Sequence, residues 1–337
     1  PNYPAYYNLG LLMQERGQLE ESIVYYKKSI AINPNFDQAC NNLGNVLQET
    51  GQYDEAYSCY QQAMKINPKH FETEVNLGIL CMKMEEFGRA TKHFQKVLQL
   101  NPQYPEAYNN LGLILWQQGK IEEATVCFRR ALKINAAFPG AYTNLGNVLL
   151  KERGDIDKAI ALYNRAISVD LNNFEAFNSL GYALHQKGDF DQAVKAYQKA
   201  VEINPDYYEA HCNLGHTHHY HKDFEEALRS YQRALSINSN RAKAHVSYSM
   251  TLLTMGSVSE GWAQYEWRWR DREFASEHER NFPQPFWDGS SLAGKSILIW
   301  LEQGVGDQIM FASMLPKLQL QARQVLVEAG KRLIPIF

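Results

Sequence analysis

Apolar residues along most of the chain recur three, four and seven positions apart, the spacing that places them on one face of an α-helix. Two such stretches with a short turn between them form a unit, and the unit repeats about every 34 residues. A Leu-Gly pair marks seven copies: Leu9-Gly10, Leu43-Gly44, Leu77-Gly78, Leu111-Gly112, Leu145-Gly146, Leu180-Gly181 and Leu214-Gly215. An eighth, degenerate copy keeps the phase with Gly256 and Tyr265. The pattern predicts consecutive helical hairpins.

Signals for helix ends fall at the same boundaries in each copy. Six copies carry a glycine after the first helix, where a left-handed conformation ends a helix without steric cost. These glycines are Gly17, Gly51, Gly119, Gly154, Gly188 and Gly256. An acidic residue then opens the second helix, and Asn or Asp closes it. The end signals and the apolar period therefore predict the same hairpins.

Each copy resembles a tetratricopeptide repeat. The second copy shows the pattern as Cys40, Leu43, Gly44, Leu47, Ala56, Tyr60, Ala63 and Pro68. The resemblance implies a right-handed superhelical solenoid with a concave groove, because each hairpin buries its apolar face against its neighbours. We expect a mostly α protein whose repeat array covers residues 1–275 as about eight hairpins, the last one capping the array.

The residue before the Leu of each Leu-Gly pair is usually asparagine. The six asparagines are Asn8, Asn42, Asn76, Asn110, Asn144 and Asn213. Inside a helix asparagine is less favourable than alanine by roughly half a kcal/mol, so its recurrence needs a reason. One interpretation is that the amides line the groove and pair with the backbone of an extended protein or peptide. The other is that they hydrogen-bond neighbouring hairpins and hold the stack together.

The asparagine row resembles the asparagine ladder in the repeat domain of the O-GlcNAc transferase family, whose repeats carry Asn-Leu-Gly-Asn runs like residues 42–45 and 144–147. This resemblance favours the peptide-binding interpretation. A scaffold that binds extended protein segments is therefore the first functional hypothesis. The sequence also allows self-association through the ends of the array or through the C-terminal segment.

Other chemistry in the sequence points to few further functions. A net charge of −3 without a basic stripe argues against nucleic-acid binding, and no apolar run is long enough to predict a membrane span.

The five cysteines form no CxxC pair, which suits a reducing, cytoplasmic location. Cys212, His216 and His219 share one helix face near His185, but no further Cys or carboxylate completes a zinc site, so neither a metal nor a cofactor is predicted.

The helical period fails after Arg272. Residues 276–293 are predicted to form an extended linker, and residues 294–337 to contain a strand, a glycine-containing turn, a helix and a second strand. This order predicts a parallel β-α-β unit, a short and incomplete Rossmann-like segment. Because two strands cannot close a core, the segment would pack on the repeats, pair with another chain or open a longer protein.

The C-terminal strings Trp262–Trp269, Trp287–Gly289 and Glu302–Ile309 resemble bacterial proteins that join tetratricopeptide arrays to a heptosyltransferase-like glycosyltransferase domain of the GT-B type. The resemblance implies that Asp307 is the base that deprotonates an acceptor hydroxyl, with the backbone N–H groups of Gly304 and Gly306 near the acceptor. A helix N-cap is the other interpretation of Asp307. The nucleotide-sugar half of such an enzyme is absent from the sequence, so we expect no transferase activity from this chain. The alternative to a scaffold is a longer glycosyltransferase whose repeats present acceptor proteins.

Overall fold

The computed structural model describes residues 2–272, 275, 290–300 and 315–328. The chain divides into two compact units, Pro1–Ser239 and Asn240–Phe337, and each is described by itself. This division lies within the predicted repeat array, because the eighth hairpin belongs to the second unit. The predicted limits of the linker, 276 and 293, stay a prediction.

Residues 2–239 form seven helical hairpins, one for each Leu-Gly pair. The helices are α1 (Tyr3–Glu15), α2 (Leu19–Ile32), α3 (Asp37–Glu49), α4 (Tyr53–Ile66), α5 (Phe71–Lys83), α6 (Phe87–Leu100), α7 (Pro105–Gln117), α8 (Ile121–Ile134), α9 (Pro139–Arg153), α10 (Ile156–Val169), α11 (Phe174–Lys187), α12 (Phe190–Ile203), α13 (Tyr208–Tyr220) and α14 (Phe224–Ile237). Odd-numbered helices are the first helices of their hairpins and even-numbered helices are the second. The predicted hairpin repeat is therefore confirmed.

The glycine of each Leu-Gly pair lies against the aromatic ring of its own hairpin. A Cβ built on Gly78 would stand 2.7 Å from Phe94, and one built on Gly112 would stand 2.7 Å from Phe128. The aromatic residues at this position are fully or almost fully buried: Tyr26, Tyr60, Phe94, Phe128, Tyr163, Tyr197 and Tyr231. The glycine thus lets the two helices of a hairpin approach closely enough to enclose one ring.

Neighbouring hairpins are joined in two ways. The second helix of one hairpin packs on the first helix of the next, as α2 does on α3 and α10 on α11. From α3 to α13 the first helices of consecutive hairpins also contact one another, and more extensively than the second helices do. The first helices therefore form a continuous surface, which we call the first-helix face, and the closer packing on this side makes it the inner, concave side of the stack.

The turn inside each hairpin has a left-handed residue after the first helix. The predicted glycines adopt this conformation, with φ values such as 79° at Gly51 and 86° at Gly188. In the third and seventh hairpins the left-handed residues are Glu85, with φ 60°, and Lys222, with φ 67°. A side chain with a Cβ pays a steric cost of about 1–2 kcal/mol in this region.

Glu85→Gly is therefore expected to raise the free energy of unfolding by about 0.5–1 kcal/mol, because the relief of strain exceeds the added flexibility of the unfolded chain. Lys222→Gly should do the same in the seventh hairpin. Urea unfolding followed by circular dichroism measures both effects. Gly51→Ala is the matched control and should lower stability, and a loss of stability in both glycine variants would contradict the strain argument.

A carboxylate is buried in the third hairpin. The side chain of Glu74 is only 3% exposed and accepts a hydrogen bond from Lys96, while His93 Nδ1 lies 2.7 Å from Glu74 Oε2. Burial opposes ionisation of this carboxyl, but the hydrogen bonds from His93 and Lys96 outweigh it and hold the pKa of Glu74 below its usual value. The ionised carboxylate therefore stabilises the packing of α5 on α6.

Glu74→Gln is expected to lower the free energy of unfolding at pH 7 by about 1–2 kcal/mol, because charged hydrogen bonds are lost. The loss is no larger because the Lys96 side chain is half exposed and water can solvate its charge. Since folding lowers the pKa, the stabilisation is complete above the unfolded pKa of about 4.3 and is lost as the pH falls through the folded value. Urea unfolding of both proteins between pH 7 and pH 3 measures the difference. A difference that grows as the pH falls would contradict this assignment.

The second unit begins with α15 (Ala242–Thr254) and α16 (Val258–Tyr265), followed by a 3-10 helix, Glu266–Arg270. These two helices pack together as the predicted degenerate eighth hairpin. The unit also contains β1 (Ser296–Trp300), α17 (Leu315–Gln321) and β2 (Gln324–Glu328). β1 and β2 are parallel, with Ser296 opposite Gln324 and Ile299 opposite Val327.

The parallel pairing of the two predicted strands is confirmed. Within the described residues the sheet contains only these two strands, so the larger Rossmann-like assignment stays a prediction. Across the described ranges no helix is both long and apolar enough to cross a bilayer.

Candidate functional site

The predicted asparagines all lie on first helices, and the backbone positions each of them at the same level of its hairpin. Asn8 is exposed, whereas the five asparagines of the later hairpins are partly buried: Asn42, Asn76, Asn110, Asn144 and Asn213. Their common position, directly before the Leu-Gly pair, follows from the packing of that pair into the core. The structure therefore brings them together as a row along the first-helix face.

Three of these asparagines donate to an asparagine of the preceding hairpin. Nδ2 of Asn76 lies 3.0 Å from Oδ1 of Asn41, and Nδ2 of Asn144 lies 2.9 Å from Oδ1 of Asn109. Nδ2 of Asn213 lies 3.0 Å from Oδ1 of Asn178. We call these three pairs the amide clamps. In each clamp the side-chain N–H group joins two neighbouring hairpins, as expected if the asparagines hold the stack together.

The other asparagines of the row differ from one another. Asn42 is engaged at both ends, because its Nδ2 donates to the Tyr7 hydroxyl at 3.1 Å and its Oδ1 accepts from Asn41 at 3.3 Å. Within residues 2–239, the side chains of Asn8 and Asn110 make no hydrogen bond. The row is therefore not uniform, and in this part of the chain Asn110 is its one partly buried asparagine with an unused amide.

The clamp acceptors Asn41, Asn109 and Asn178 were not among the predicted site residues. They stand one position before the row, where the residues of successive hairpins are Tyr7, Asn41, Val75, Asn109, Thr143, Asn178 and Cys212. Asparagine thus recurs there in every second hairpin. This alternation is the sequence signal that could have identified the acceptors.

A second set of amides meets the core tyrosines. The Tyr60 hydroxyl donates to Asn45 Oδ1 at 2.7 Å, and the Tyr163 hydroxyl donates to Asn147 Oδ1 at 2.8 Å. Burial raises the pKa of both tyrosines well above the ordinary value, so they remain protonated donors. In the third and fourth hairpins the ring is a phenylalanine and the matching amide position holds Ile79 or Leu113. In these two hairpins neither the hydroxyl nor its amide acceptor is present.

Three aromatic residues on first helices, Trp116, Tyr182 and Tyr220, have different surroundings. Trp116 is partly buried, and its Nε1 donates to Glu152 Oε1 at 2.9 Å in the next hairpin. Tyr182 is 40% exposed and Tyr220 is 63% exposed. Trp116 thus contributes to contact between hairpins, while the two tyrosines offer exposed ring surface near the C-terminal end of the first-helix face.

The histidines of the sixth and seventh hairpins form a ring cluster. His185 and His216 have ring centroids 5.2 Å apart, and Tyr220 lies 5.7 Å from His185. Burial and the neighbouring His216 lower the pKa of His185 below its ordinary value, and the same two causes act on His219. The described residues contain no group of three or more His, Cys, Asp or Glu side chains arranged to hold a metal ion.

The predicted base Asp307 and the predicted substrate-loop residues Gly304 and Gly306 lie outside the described residues.

Stacked helical hairpins, each closed by a glycine-to-aromatic contact, define the tetratricopeptide-repeat class. A tetratricopeptide-repeat model matches residues 208–241. The model described as the C-terminal domain of cilia and flagella-associated protein 70 matches residues 2–213, which is more than half of the chain. The chain therefore belongs to this tetratricopeptide-repeat family.

Among curated proteins, protein FlbA of Caulobacter vibrioides is 43% identical over 65 residues. The match covers 19% of this chain and 11% of FlbA, so the chain spans a small part of that relative.

Three solved structures show the same fold. A chain of the APC/C hetero-tetramer Cut9-Hcn1 has a TM-score of 0.63 at 17% identity, covering 80% of this chain and 53% of that one. A tetratricopeptide repeat protein from Parabacteroides merdae has a TM-score of 0.60 at 19% identity, covering 74% and 98%. PilF of Pseudomonas aeruginosa has a TM-score of 0.51 at 23% identity, covering 62% and 94%. These likenesses establish the fold.

Proposed function

We propose that this chain is a protein-interaction scaffold whose first-helix face binds an extended segment of another protein through the asparagine row. The observation that carries the proposal is the row itself, because five of the six first helices from α3 to α13 carry an asparagine at the same level. In Asn76, Asn144 and Asn213 the clamps use Nδ2, and no hydrogen bond within residues 2–239 occupies Oδ1. These oxygens can accept from the N–H groups of a ligand.

The chemistry of the row favours backbone recognition. Amide side chains carry no net charge and complement the N–H and C=O groups of any extended chain, so the surface would tolerate different ligand side chains. Tetratricopeptide folds also occur in protein assemblies, as the hetero-tetramer of Cut9 with Hcn1 illustrates. Both points support a broad protein or peptide specificity.

The test is selection from a random 12-residue peptide library, followed by calorimetric titration of the synthetic peptide. Alanine at Asn76, Asn110 and Asn144 together should weaken binding at least tenfold, because each lost hydrogen bond is worth about 0.5–1.5 kcal/mol. Asn35→Ala changes an exposed turn asparagine and serves as the control. Unchanged affinity in the triple variant together with a lowered unfolding midpoint would show that the row only holds the stack.

The second candidate is a glycosyltransferase whose repeats present acceptor proteins, with Asp307 as the base and Gly304 and Gly306 near the acceptor. The parallel pairing of β1 and β2 supports this candidate, because a β-α-β unit begins such a domain. Calorimetric titration of a longer form of the protein, one that includes a nucleotide-binding half-domain, with uridine diphosphate sugars tests it. Saturable binding that Asp307→Asn leaves intact, together with loss of sugar transfer in a longer form, would favour the enzyme.

A further inference from the structure

The first-helix face is apolar in its third and fourth hairpins. Three residues after the asparagine row, the second to fifth hairpins carry Asn45, Ile79, Leu113 and Asn147. Ile79 and Leu113 thus separate two amides at this level. Met82 and Trp116 lie three residues further along the same helices and therefore on the same face. All four apolar residues are partly buried, so each keeps part of its side chain in contact with solvent. We call these four residues the central apolar patch.

The two helices that carry the patch are neighbours. α5 contacts α7 directly, and packed helices lie about 8–10 Å apart, so the patch extends across two hairpins. Its side chains pack on the two buried clusters that contain Phe94 and Phe128. Because the core beneath holds these side chains in place, the patch is a pre-formed surface.

Asn110 stands beside this patch, and within residues 2–239 its amide makes no hydrogen bond. Asn76, its equivalent in the preceding hairpin, donates to Oδ1 of two asparagines of the second hairpin, at 3.0 and 2.9 Å. The residues at those two acceptor positions before Asn110 are Val75 and Ile79, whose side chains have no polar atom. The Asn110 amide therefore keeps both its N–H and its C=O groups for a ligand, next to apolar surface.

Two lysines border the patch. Four residues after the level of Ile79, the third, fourth and fifth hairpins carry the exposed residues Lys83, Gln117 and Lys151. Lys151 Nζ lies 5.5 Å from the centroid of the Trp116 ring. Within residues 2–239 neither lysine forms an ion pair. This edge of the patch therefore complements a carboxylate of a ligand.

We propose that the central apolar patch is the specificity subsite of the first-helix face. It takes a large apolar side chain of the bound segment, such as leucine or phenylalanine, that has an acidic residue beside it. The Asn110 amide binds the ligand backbone next to this side chain, and Lys83 and Lys151 attract the carboxylate. An apolar lining with a few placed polar groups is typical of sites that recognise ligands. This inference rests on the proposed peptide-binding function and adds one side-chain preference to its backbone recognition.

The ligand side of the proposal is tested with the random 12-residue peptide library. Selected peptides should share one leucine, isoleucine, methionine or phenylalanine with an aspartate or glutamate beside it. Alanine in place of that apolar residue should weaken binding about tenfold or more, because the patch no longer buries a large side chain. Alanine at a position without selected preference is the control and should have little effect. Selected peptides without such an apolar residue, or with basic residues beside it, would overturn this inference and leave the peptide-binding function intact.

An exchange of two side chains tests the protein side, because it makes the patch polar without removing a core ring. The exchange combines Leu113→Asn with Phe128→Tyr. It recreates in the fourth hairpin the pair that Asn147 and Tyr163 form in the fifth at 2.8 Å. This variant should keep the thermal unfolding midpoint and bind the highest-affinity selected peptide about tenfold more weakly. It should also bind that peptide and its alanine form with equal affinity.

The reverse exchange in the fifth hairpin, Asn147→Leu with Tyr163→Phe, is the matched control and should not weaken binding. Unchanged affinity of the fourth-hairpin variant for the selected peptide would overturn this inference while leaving the peptide-binding function intact. Should that variant fail to fold, the alanine form of the peptide decides with the unaltered protein alone. If no library peptide binds the unaltered protein, the proposed function fails, and this inference with it.

Discussion

Phe94→Ala is expected to lower the free energy of unfolding by about 3–5 kcal/mol. The ring of Phe94 is fully buried in a cluster that includes Val75, Cys81 and Ile114, and it fills the space beside Gly78. Alanine would leave a cavity bounded by two hairpins at once, because this cluster contains side chains of both the third and the fourth hairpin. The neighbouring glycine has no side chain that could fill the space.

Urea unfolding followed by circular dichroism measures this loss. Phe94→Leu is the graded control and should cost clearly less, since it keeps most of the apolar volume. Because stability in a repeat array depends on neighbouring interfaces, the loss should also appear as faster hydrogen exchange in α5, α6 and α7. A loss below 1 kcal/mol for Phe94→Ala would contradict the central packing role of the ring.

Gly112→Ala is expected to lower the free energy of unfolding by about 1–3 kcal/mol, although alanine is the better helix former by about 1 kcal/mol. The added Cβ would lie 2.7 Å from Cε1 of Phe128, a distance too short for two carbon atoms. The ring cannot move aside easily because it is fully buried, so α7 and α8 would have to separate. The steric cost therefore exceeds the gain in helix propensity.

Gly88→Ala is the matched control, since Gly88 is an exposed helical glycine whose added Cβ would meet no atom within 4 Å. This variant should be about 0.5–1 kcal/mol more stable than the unaltered protein, as helix propensity alone dictates. Opposite signs for the two substitutions, measured by urea unfolding, are the expected result. Equal stabilisation by both would show that the hairpin can open without cost.

Much of the fold could be predicted from the sequence because its determinants are local. A glycine at the turn, an asparagine at the end of the second helix and apolar residues at helical spacing each act within a few residues. Glu85 and Lys222 show the limit of such rules, because their left-handed conformations are imposed by the hairpin around them. The packed hairpin overrides the local preference of these two residues.

The candidate site was less accessible from the sequence. The residue types and their spacing identified the asparagine row. The sequence also allowed both roles of the amides, binding a peptide backbone and holding neighbouring hairpins together. Which role each amide has depends on a partner 35 residues away, as in the pair of Asn144 with Asn109. Asn144 and Asn110 look the same in a single copy of the repeat, yet one is clamped and the other is not.

The sequence by itself determined the number of hairpins, their boundaries and the side of each helix that is buried, because these follow from periodic apolar positions and short-range backbone preferences. Only the tertiary structure decided which amides are used between hairpins, since a side-chain hydrogen bond requires two atoms to meet across a helix interface within about 3 Å. That meeting depends on how neighbouring hairpins stack, which no single repeat specifies.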